Sequence, residues 1–284
     1  MNNRLRMDQK MDIKNLRKNL QQGKIVVGSE VNEVRSPAIA EVYAAAGLDF
    51  IVVDMEHTSF TISEASQIYR MARNCGISPL VRIPAIDYEV ICRNLDQGAR
   101  GIVVPRITSA EEIHQVIEIM KYPPKGKRGL YPGGTAVGYC PTTPADFIQD
   151  QNDTTLLIVQ IENQQAVQNL DSILSISGID VILIGPADLS LSIGHPCEFF
   201  HKDVLSLMRK VIQRCRDYKI PSGVAYADPG LAKSWISEGV QFFWVNSDMN
   251  MLLTGAKAVV AEIHNPRGSI IQIKEDNETP PFKI

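Results

Sequence analysis

The chain has 284 residues, with 29 Lys or Arg against 32 Asp or Glu, so its formal net charge at pH 7 is only −3. This balance gives no electrostatic reason to expect nucleic acid or an acidic membrane as a partner, and a small molecule is the better expectation. Apolar residues make up 44% of the chain. The longest apolar runs are nevertheless strand-sized, far short of the roughly 20 residues that cross a bilayer.

The amino-terminal segment up to Lys24 is polar and contains no apolar stretch that could serve as a secretory signal. Leu16 and Leu20 have the spacing of the inner face of an amphipathic helix, so we predict a helix that plugs or flanks the domain. The chain contains five widely spaced cysteines without a C-x-x-C pair: Cys75, Cys92, Cys140, Cys197 and Cys215. They are typical of reduced thiols in a cytoplasmic protein, and we expect that location.

Eight short apolar runs rich in Val and Ile recur along the chain. They occupy residues 24–28, 49–54, 79–83, 101–105, 156–161, 180–185, 221–225 and 240–245. Segments with helical periodicity lie between them. Continuous apolar strands that alternate with helices predict an α/β fold with a parallel sheet, and eight such units favour a closed (β/α)8 TIM barrel. An open Rossmann sheet is disfavoured, because no G-x-G-x-x-G motif follows the first strand.

The domain organisation follows from the same pattern. We predict one barrel domain over residues 1–284, with its core from about residue 16 to about residue 264 and a polar tail over 265–284. The connection from residue 121 to residue 154 is rich in Gly and Pro and much longer than an ordinary turn. Loops of this length are often lids or binding loops, so we expect it to lie over the active face.

Polar side chains follow four of the predicted strands, at the points where the strands end. They are Asp54, Glu56, His57, Arg82, Gln160, Glu162 and Asp188. Because the carboxyl ends of barrel strands meet at one rim, where TIM-barrel enzymes have their active sites, we expect these side chains to form one site.

Each residue type has a chemical reason to be at this rim. Glu162 and Asp188 together are typical of a Mg²⁺ or Mn²⁺ site that leaves positions for substrate. Arg82 can stabilise negative charge that develops on an oxygen. His57, with Asp54 holding its tautomer, can act as a general base. We therefore predict metal-assisted proton chemistry at the rim.

Other candidates are weaker. His195 follows the sixth strand and could line the pocket, whereas His114, His201 and His264 are predicted to be surface residues. Asp248, at the end of the eighth strand, is predicted to cap the following helix. None of the last seven runs contains Lys, which disfavours a covalent Schiff-base mechanism.

Five segments together resemble the HpcH/HpaI aldolase family of metal-dependent class II pyruvate aldolases. They are VVDMEH, LVRIP, LDQGARGIVVPR, VQIENQQAVQNLD and GIDVILIGPADLSLSIGHP. The resemblance runs from about Leu16 to about Glu262. It implies a lyase that cleaves or forms a carbon–carbon bond of 4-hydroxy-2-oxo acids through a metal-bound pyruvate enolate. It also implies Mg²⁺, Mn²⁺ or Co²⁺ as cofactor and a hexamer built as a trimer of domain-swapped dimers.

The same resemblance assigns the catalytic and metal residues. It implies that Glu162 and Asp188 bind the metal ion, that His57 is the base supported by Asp54, and that Arg82 contacts the pyruvyl oxygen.

Substrate contacts are implied in the same way. Gln160 would touch the pyruvate carboxylate or a metal-bound water, and the backbone of Pro186, Ala187 and Asp188 would hold the carboxylate. Asp96 would reach into the active site of a neighbouring subunit.

Two stretches differ from many members of that family. The long loop reads RGLYPGGTAVGYCP, in which the part from Tyr131 is similar to a macrophomate synthase-like branch, and the first strand reads VGSEVNE. An oxaloacetate decarboxylase that uses the same enolate is therefore an alternative function. A lyase for citryl- or malyl-CoA thioesters is another, although the rim would offer such a ligand little beyond Arg106 and Arg128. A barrel that has lost catalysis is a third.

Overall fold

The computed structural model of the protein describes residues 16–139, 142–226 and 229–264. Eight parallel strands pair in chain order and close into a barrel. The strands are β1 Val26–Val31, β2 Phe50–Asp54, β3 Ser78–Arg82, β4 Gly101–Val104, β5 Leu156–Ile161, β6 Val181–Ile184, β7 Ser222–Ala225 and β8 Val240–Ser247. Each strand overlaps one of the eight apolar runs, so the predicted TIM barrel is confirmed.

Helices alternate with the strands. They are α1 Leu16–Gln21, α2 Ala38–Ala45, α3 Ile62–Cys75, α4 Tyr88–Asp96, α5 Ala110–Met120, α6 Pro144–Thr154, α7 Gln164–Gln168, α8 Leu170–Leu174, α9 Pro186–Ser192, α10 Lys202–Tyr218, α11 Pro229–Ser237 and α12 Asp248–His264. A 3₁₀ turn covers Gly134–Val137. Thr61 and Ser109 begin their helices with capping boxes, in which Glu64 and Glu112 return the hydrogen bond. Among the described helices, none has the length and apolar character needed to cross a membrane.

The barrel interior changes from apolar to polar along the strands. Its apolar core contains Phe50 and Val52 of β2, Leu80 of β3 and Ile158 of β5, with Trp244 of β8. Because side chains alternate between the two faces of a strand, the next inward positions fall at the carboxyl ends of these strands. These next positions are occupied by Asp54, Arg82 and Gln160, and the same alternation in β1 leads from Val26 to Glu30. The polar layer at the rim is therefore a continuation of the core.

The amino-terminal end of the barrel is closed by α1. Leu16 and Leu20 are buried in the same core cluster as the inward strand residues, which confirms the predicted amphipathic helix. The Arg17 guanidinium fixes the helix through two bonds of 2.6 and 2.7 Å to Asp180. Residues 1–15 of the polar segment lie outside the described residues.

The buried contacts of the long connection between α5 and β5, where the structure describes it, lie at the amino-terminal edge of the barrel and not over the active face, where we expected it. Lys121 donates to the carbonyl of Thr155, directly before β5, at 2.7 Å. Arg73, in the last turn of α3, donates to the carbonyls of Thr135 and Ala136. The reason is topological, because the connection joins the end of a helix to the start of a strand, and both are at that edge.

The contacts divide the chain into two compact units, Met1–Met249 and Asn250–Ile284. The barrel belongs to the first unit. In the second unit the structure describes residues up to 264, and the predicted tail lies outside the described residues. The inclusion of residues 250–264 in the barrel core stays a prediction.

Asp248 connects the end of β8 to the loop after β1. Its carboxylate accepts four backbone N–H groups, from Asn32, Glu33, Val34 and Met249, at 2.8 to 3.1 Å. Three of these donors belong to the β1 loop and the fourth is the next residue in the chain, so the predicted role of Asp248 as a helix cap stays a prediction.

We expect Asp248→Ala to lower the free energy of unfolding by about 2 to 3 kcal/mol, because it removes the acceptor of several poorly solvated N–H groups. Urea denaturation measures this change. Asp87→Ala is the matched control, since Asp87 accepts one exposed cap bond from Val90, and it should cost less than about 1 kcal/mol. Equal losses in the two variants would contradict the bridging role of Asp248.

Candidate active site

Arg82 is at the centre of the polar layer. Its Nε and Nη2 atoms donate to the two oxygens of Asp54, each at 2.8 Å. Glu56 lies 3.5 Å and Glu30 lies 3.6 Å from the same guanidinium, and the ring of Trp244 lies 5.1 Å from its carbon. Both Arg82 and Asp54 are buried. The guanidinium is therefore held in one orientation by three carboxylates, as a preorganised electrostatic group requires.

The structure pairs His57 with Glu56 and not with Asp54, which we had expected to hold its tautomer. The His57 ring nitrogen Nε2 lies 3.6 Å from Glu56 Oε2, whereas Asp54 accepts only the backbone N–H of His57, at 3.4 Å. The physical reason is that Arg82 occupies both oxygens of Asp54. The His57 side chain is 65% exposed, so it stands at the mouth of the site.

Glu56 joins His57 to the rest of the rim, a role that the sequence interpretation did not assign to it. Its Oε1 atom lies 3.1 Å from Nε of Arg106. Burial raises the pKa of the Glu56 carboxyl above its usual range, although the charge of Arg82 opposes this. The motif VVDMEH contained the signal, but sequence alone cannot decide which of two acids faces the histidine.

Glu162 is buried opposite this group, with 4% of the residue exposed. Its Oε1 atom accepts the backbone N–H of Arg106 at 2.5 Å, and its Oε2 atom accepts the side-chain amide of Gln160. A Cβ atom on Gly185, which directly follows β6, would lie 2.9 Å from the Cβ atom of Glu162, so this close approach of the two segments requires glycine.

The electrostatics at Glu162 are unfavourable for a carboxylate. Burial raises its pKa to about 7, and the charges of Asp188 and Glu56 act in the same direction. Asp188 is an exposed residue in the first turn of α9. Among the described residues, no Lys, Arg or His nitrogen lies within ion-pair distance of either Glu162 or Asp188. Glu162 and Asp188 repel each other and have no cationic partner in the part of the chain that the structure describes. Their oxygens, together with the side-chain oxygen of Gln160, form a donor set that fits a divalent cation.

Glu30 is a further carboxyl that the sequence interpretation missed. It is fully buried, and its Oε1 atom accepts hydrogen bonds from Tyr226 and from Asn32, while its Oε2 atom has no hydrogen-bond partner. Burial raises the pKa of Glu30 above its ordinary value, although the Tyr226 hydrogen bond and the Arg82 charge oppose this. The signal was an acid at an inward position of β1, in VGSEVNE.

Two residues named in the sequence analysis, Asp96 and Arg128, lie away from this rim. Asp96, which the resemblance assigns to a neighbouring subunit's site, ends α4 and pairs with Arg128, whose side chain is fully buried, at 2.5 Å. Arg128 is therefore unavailable at the rim, where Arg106 is the exposed arginine. Lys121 is buried, and burial lowers its pKa to about 8, but it lies at the amino-terminal edge. It cannot supply a Schiff base at the rim.

An apolar cavity of about 400 Å³ adjoins the start of α9. Pro186 and Ala187 form one wall of it, Phe199 and Phe200 another, and Tyr226 separates it from Glu30. The cavity gives the polar rim an apolar side on which a substrate carbon chain could lie.

Comparison with known proteins agrees with this geometry. The model of the HpcH/HpaI aldolase/citrate lyase family matches residues 33–254. A hydroxypyruvate/pyruvate aldolase of Roseobacter denitrificans is 32% identical over 87% of this chain and 95% of its own length. A 2-keto-3-deoxy-L-rhamnonate aldolase of Klebsiella pneumoniae is 33% identical over 78% and 82%.

Solved structures give the same result. The HpcH/HpaI aldolase from Desulfitobacterium hafniense has a TM-score of 0.84 and 35% identity, over 88% of this chain and 96% of that one. The citrate synthase SbnG has a TM-score of 0.80 and 28% identity, over 89% and 98%. The likeness thus extends over the whole barrel.

Proposed function

The chain belongs to the HpcH/HpaI aldolase/citrate lyase family and is a carbon–carbon lyase of the aldolase type, and we propose that it cleaves 4-hydroxy-2-oxo acids to pyruvate and an aldehyde, or forms them, with a divalent metal ion. One observation carries the proposal. Glu162 is a buried carboxylate beside Asp188, without a cationic side chain among the described residues to balance the two charges. Such a pair is stable as two carboxylates only when a cation joins it.

Glu162 and Asp188 would hold the metal ion, with Gln160 beside them. Mg²⁺, Mn²⁺ or Co²⁺ would supply Lewis acidity toward the ketone of the 2-oxo acid when bound. Gln160 has one oxygen without a hydrogen-bond partner and an amide that is held by Glu162, so it is available to a water or to a substrate carboxylate. The backbone of Pro186 to Asp188, in the first turn of α9, is the proposed cradle for that carboxylate.

The residues on the other side of the rim would handle charge and protons. Arg82, fixed by Asp54, would stabilise the negative charge that develops on the pyruvyl oxygen. In cleavage, the His57 ring would take the proton of the 4-hydroxyl group. The C3–C4 bond then breaks and the aldehyde leaves. The electron pair of the broken bond forms an enolate of pyruvate, which gains a proton at C3. Glu56 would stabilise the charged His57 ring from 3.6 Å.

The acceptor is less closely defined than the 2-oxo acid. Relatives act on compounds as different as hydroxypyruvate and 2-keto-3-deoxy-L-rhamnonate, by their names. Decarboxylation of oxaloacetate would use the same enolate and is the second candidate. A CoA thioester is less well supported, because Arg128 is buried against Asp96. Arg106 is then the exposed arginine that the rim offers to such a ligand.

The test is an aldol assay on protein treated with EDTA. Pyruvate and glycolaldehyde are incubated with it, Mg²⁺, Mn²⁺ or Co²⁺ is added, and the 4-hydroxy-2-oxo acid is followed by NMR. We expect product only after a metal ion is restored, and no covalent adduct when borohydride is present. Oxaloacetate in place of pyruvate tests the second candidate. Product formation that EDTA does not reduce would contradict the proposal.

We also propose that the protein is a homo-oligomer, a hexamer built from domain-swapped dimers. The part of α12 that lies in the second compact unit supports this. Its apolar residues Leu252, Leu253, Val259, Val260 and Ile263 are more than half exposed, and continuous exposed apolar surface is typical of subunit interfaces. Asp96 would then face a neighbouring subunit. Light scattering should give six times the chain mass of 31.5 kDa, and a monomer mass would contradict this assembly.

A further inference from the structure

The proposed lyase chemistry moves two protons, one at the 4-hydroxyl group and one at C3 of the pyruvyl unit. His57 would take the first, whereas the second has no assigned partner. Apart from the proposed metal ligands, the described part of the rim has three acids, Asp54, Glu56 and Glu30. Arg82 occupies both oxygens of Asp54, and Glu56 lies beside His57. Glu30 is therefore the acid that is available for C3.

Glu30 is buried near the carboxyl end of β1, and only one of its carboxylate oxygens is held by hydrogen bonds. Oε1 accepts the phenol of Tyr226 and, at 2.9 Å, the side-chain amide of Asn32. Oε2 has no hydrogen-bond partner among the residues that the structure describes, and it lies 3.6 Å from the Arg82 guanidinium. Burial raises the pKa of Glu30. A carboxylate whose pKa is raised toward neutral both accepts and returns a proton more readily.

The phenol of Tyr226 connects Glu30 to the open part of the rim. Tyr226 directly follows β7 and is 43% exposed, whereas Glu30 is fully buried. Its φ of 51° is left-handed, and a tyrosine keeps this conformation only where its surroundings hold it. The bond to Glu30 and the ring of Trp244, whose centroid is 5.9 Å away, do so here. A phenol can accept one proton while it gives another, which the amide of Asn32 cannot do.

The position of this pair around the barrel matches the direction in which C3 would point. C2 of a 2-oxo acid is trigonal, so the carboxylate, the ketone oxygen and C3 diverge from it in three directions. In the proposed function, the carboxylate faces the first turn of α9, after β6, and the oxygen faces Arg82 of β3. Because the strands pair in chain order, the third direction leads to the side of β8 and β1. Glu30 belongs to β1, and the Trp244 ring of β8 lies 5.1 Å from the guanidinium carbon of Arg82 and 5.9 Å from the ring of Tyr226.

We propose that Tyr226 and Glu30 form a proton relay that serves C3 of the pyruvyl unit, an inference that rests on the proposed lyase function. When pyruvate is activated, C3 gives its proton to the phenol oxygen of Tyr226 while the phenol proton passes to Oε1 of Glu30. The electron pair of the C3–H bond forms the C2–C3 double bond of the enolate, and the π electrons of the ketone move onto its oxygen. In cleavage the relay runs in reverse, and the enolate gains its proton at C3. Asn32 holds the Glu30 carboxylate and is a positioning residue.

The experiment compares a reaction that needs proton transfer at C3 with a step that does not. Exchange of the pyruvate methyl protons in deuterated water needs this transfer. Cleavage of the 4-hydroxy-2-oxo acid formed from pyruvate and glycolaldehyde releases the aldehyde before C3 gains a proton. Alcohol dehydrogenase with NADH reports that release in a single turnover. Both reactions are measured on the full-length protein with Mg²⁺, Mn²⁺ or Co²⁺ present.

Tyr226→Phe and Glu30→Gln should each slow exchange by about 100-fold or more. Each should slow aldehyde release at least about tenfold less than it slows exchange. The double variant should exchange no more slowly than the slower single variant, because the two residues act as one relay. Tyr218→Phe is the matched control, since Tyr218 is an exposed tyrosine at the end of α10, and it should change neither reaction.

Failure of this inference differs from failure of the proposed function. If the wild type lacks either reaction with all three metal ions, the proposed function fails. If the wild type performs both and either single variant slows exchange by less than about 100-fold, the relay is refuted and the lyase function stands. Exchange and aldehyde release that slow to within about tenfold of each other would indicate a merely structural role and would also overturn the relay. Losses that multiply in the double variant would do the same, because they would show two independent contributions.

Discussion

Glu162→Gln is expected to lower kcat/KM for pyruvate-dependent aldol formation by about a thousandfold. A Lewis-acid metal ion contributes several kcal/mol to the transition state, and Gln at this position cannot neutralise a dication. Most of the loss should appear as an increase in the metal concentration that the enzyme needs for half-maximal activity. Steady-state kinetics over a range of Mn²⁺ concentrations measure it, with Glu33→Gln as the matched control, because Glu33 is an exposed acid after β1. A loss of less than about tenfold would contradict the assigned role of Glu162.

The same change should stabilise the metal-free protein above neutral pH. Burial raises the pKa of Glu162 to about 7 from an ordinary value near 4.5, so the folded state holds the proton more tightly than the unfolded state does. The contribution of this group to stability is therefore present below pH 4.5 and is lost as pH rises through 7. At pH 8 the loss is about 3 kcal/mol, and Gln avoids it.

Urea denaturation of the metal-free proteins at pH 5 and pH 8 tests this expectation. The variant should be more stable than the wild type at pH 8 and differ much less at pH 5. Added Mn²⁺ should remove the advantage by stabilising only the wild type. An advantage that is equal at both pH values would show that the effect is not ionisation of Glu162.

Arg82→Met is expected to have the largest effect on stability, a loss of about 3 to 5 kcal/mol. Arg82 is the buried cation between Asp54, Glu56 and Glu30, and its removal leaves buried carboxylates without their partner. Arg82→Lys should restore only part of the stability, because an ammonium group cannot reproduce the two bonds to Asp54. Where the variants fold, kcat should fall by about 100-fold to 1000-fold.

Arg106→Met is the control for this prediction. Arg106 also contacts Glu56, but its side chain is 64% exposed, so the charge is largely screened by solvent. We expect its stability loss to stay below about 1 kcal/mol. Similar losses in Arg82→Met and Arg106→Met would contradict the view that Arg82 organises the buried part of the rim.

Much of the fold could be predicted from sequence because a parallel barrel leaves a strong local signal. Its strands are buried on both faces, so they appear as continuous apolar runs, and β5 matches its run over residues 156–161. The position of Glu162, Asp188 and Arg82 at one rim followed from the rule that strand ends meet there. Leu16 and Leu20 were also recognisable from helical spacing alone.

The remaining features depend on contacts that a linear sequence does not specify. Whether Asp54 or Glu56 faces His57 is decided by Arg82, which comes from another strand and occupies Asp54. Glu30 is part of the rim because of the twofold alternation in β1, although the apolar run used for prediction stopped at residue 28.

The long connection was placed at the wrong edge for a different reason. Its composition resembles that of a lid, but its position is fixed by what it joins, since a helix-to-strand connection begins and ends at the amino-terminal edge. The buried contacts of Lys121 with Thr155 and of Arg73 with Thr135 hold it there. Chain topology, and not composition, decides such a case.

The most direct test of the central claim is hydrogen–deuterium exchange at the methyl group of pyruvate. EDTA-treated protein is incubated with pyruvate in deuterated water, and the methyl signal is followed by NMR before and after addition of Mg²⁺, Mn²⁺ or Co²⁺. No aldehyde is needed, so the result does not depend on the identity of the acceptor. We predict loss of the methyl signal only with a metal ion present, and at least about 100-fold slower loss in Glu162→Gln. Exchange that is independent of metal, or undiminished in Glu162→Gln, would contradict the account.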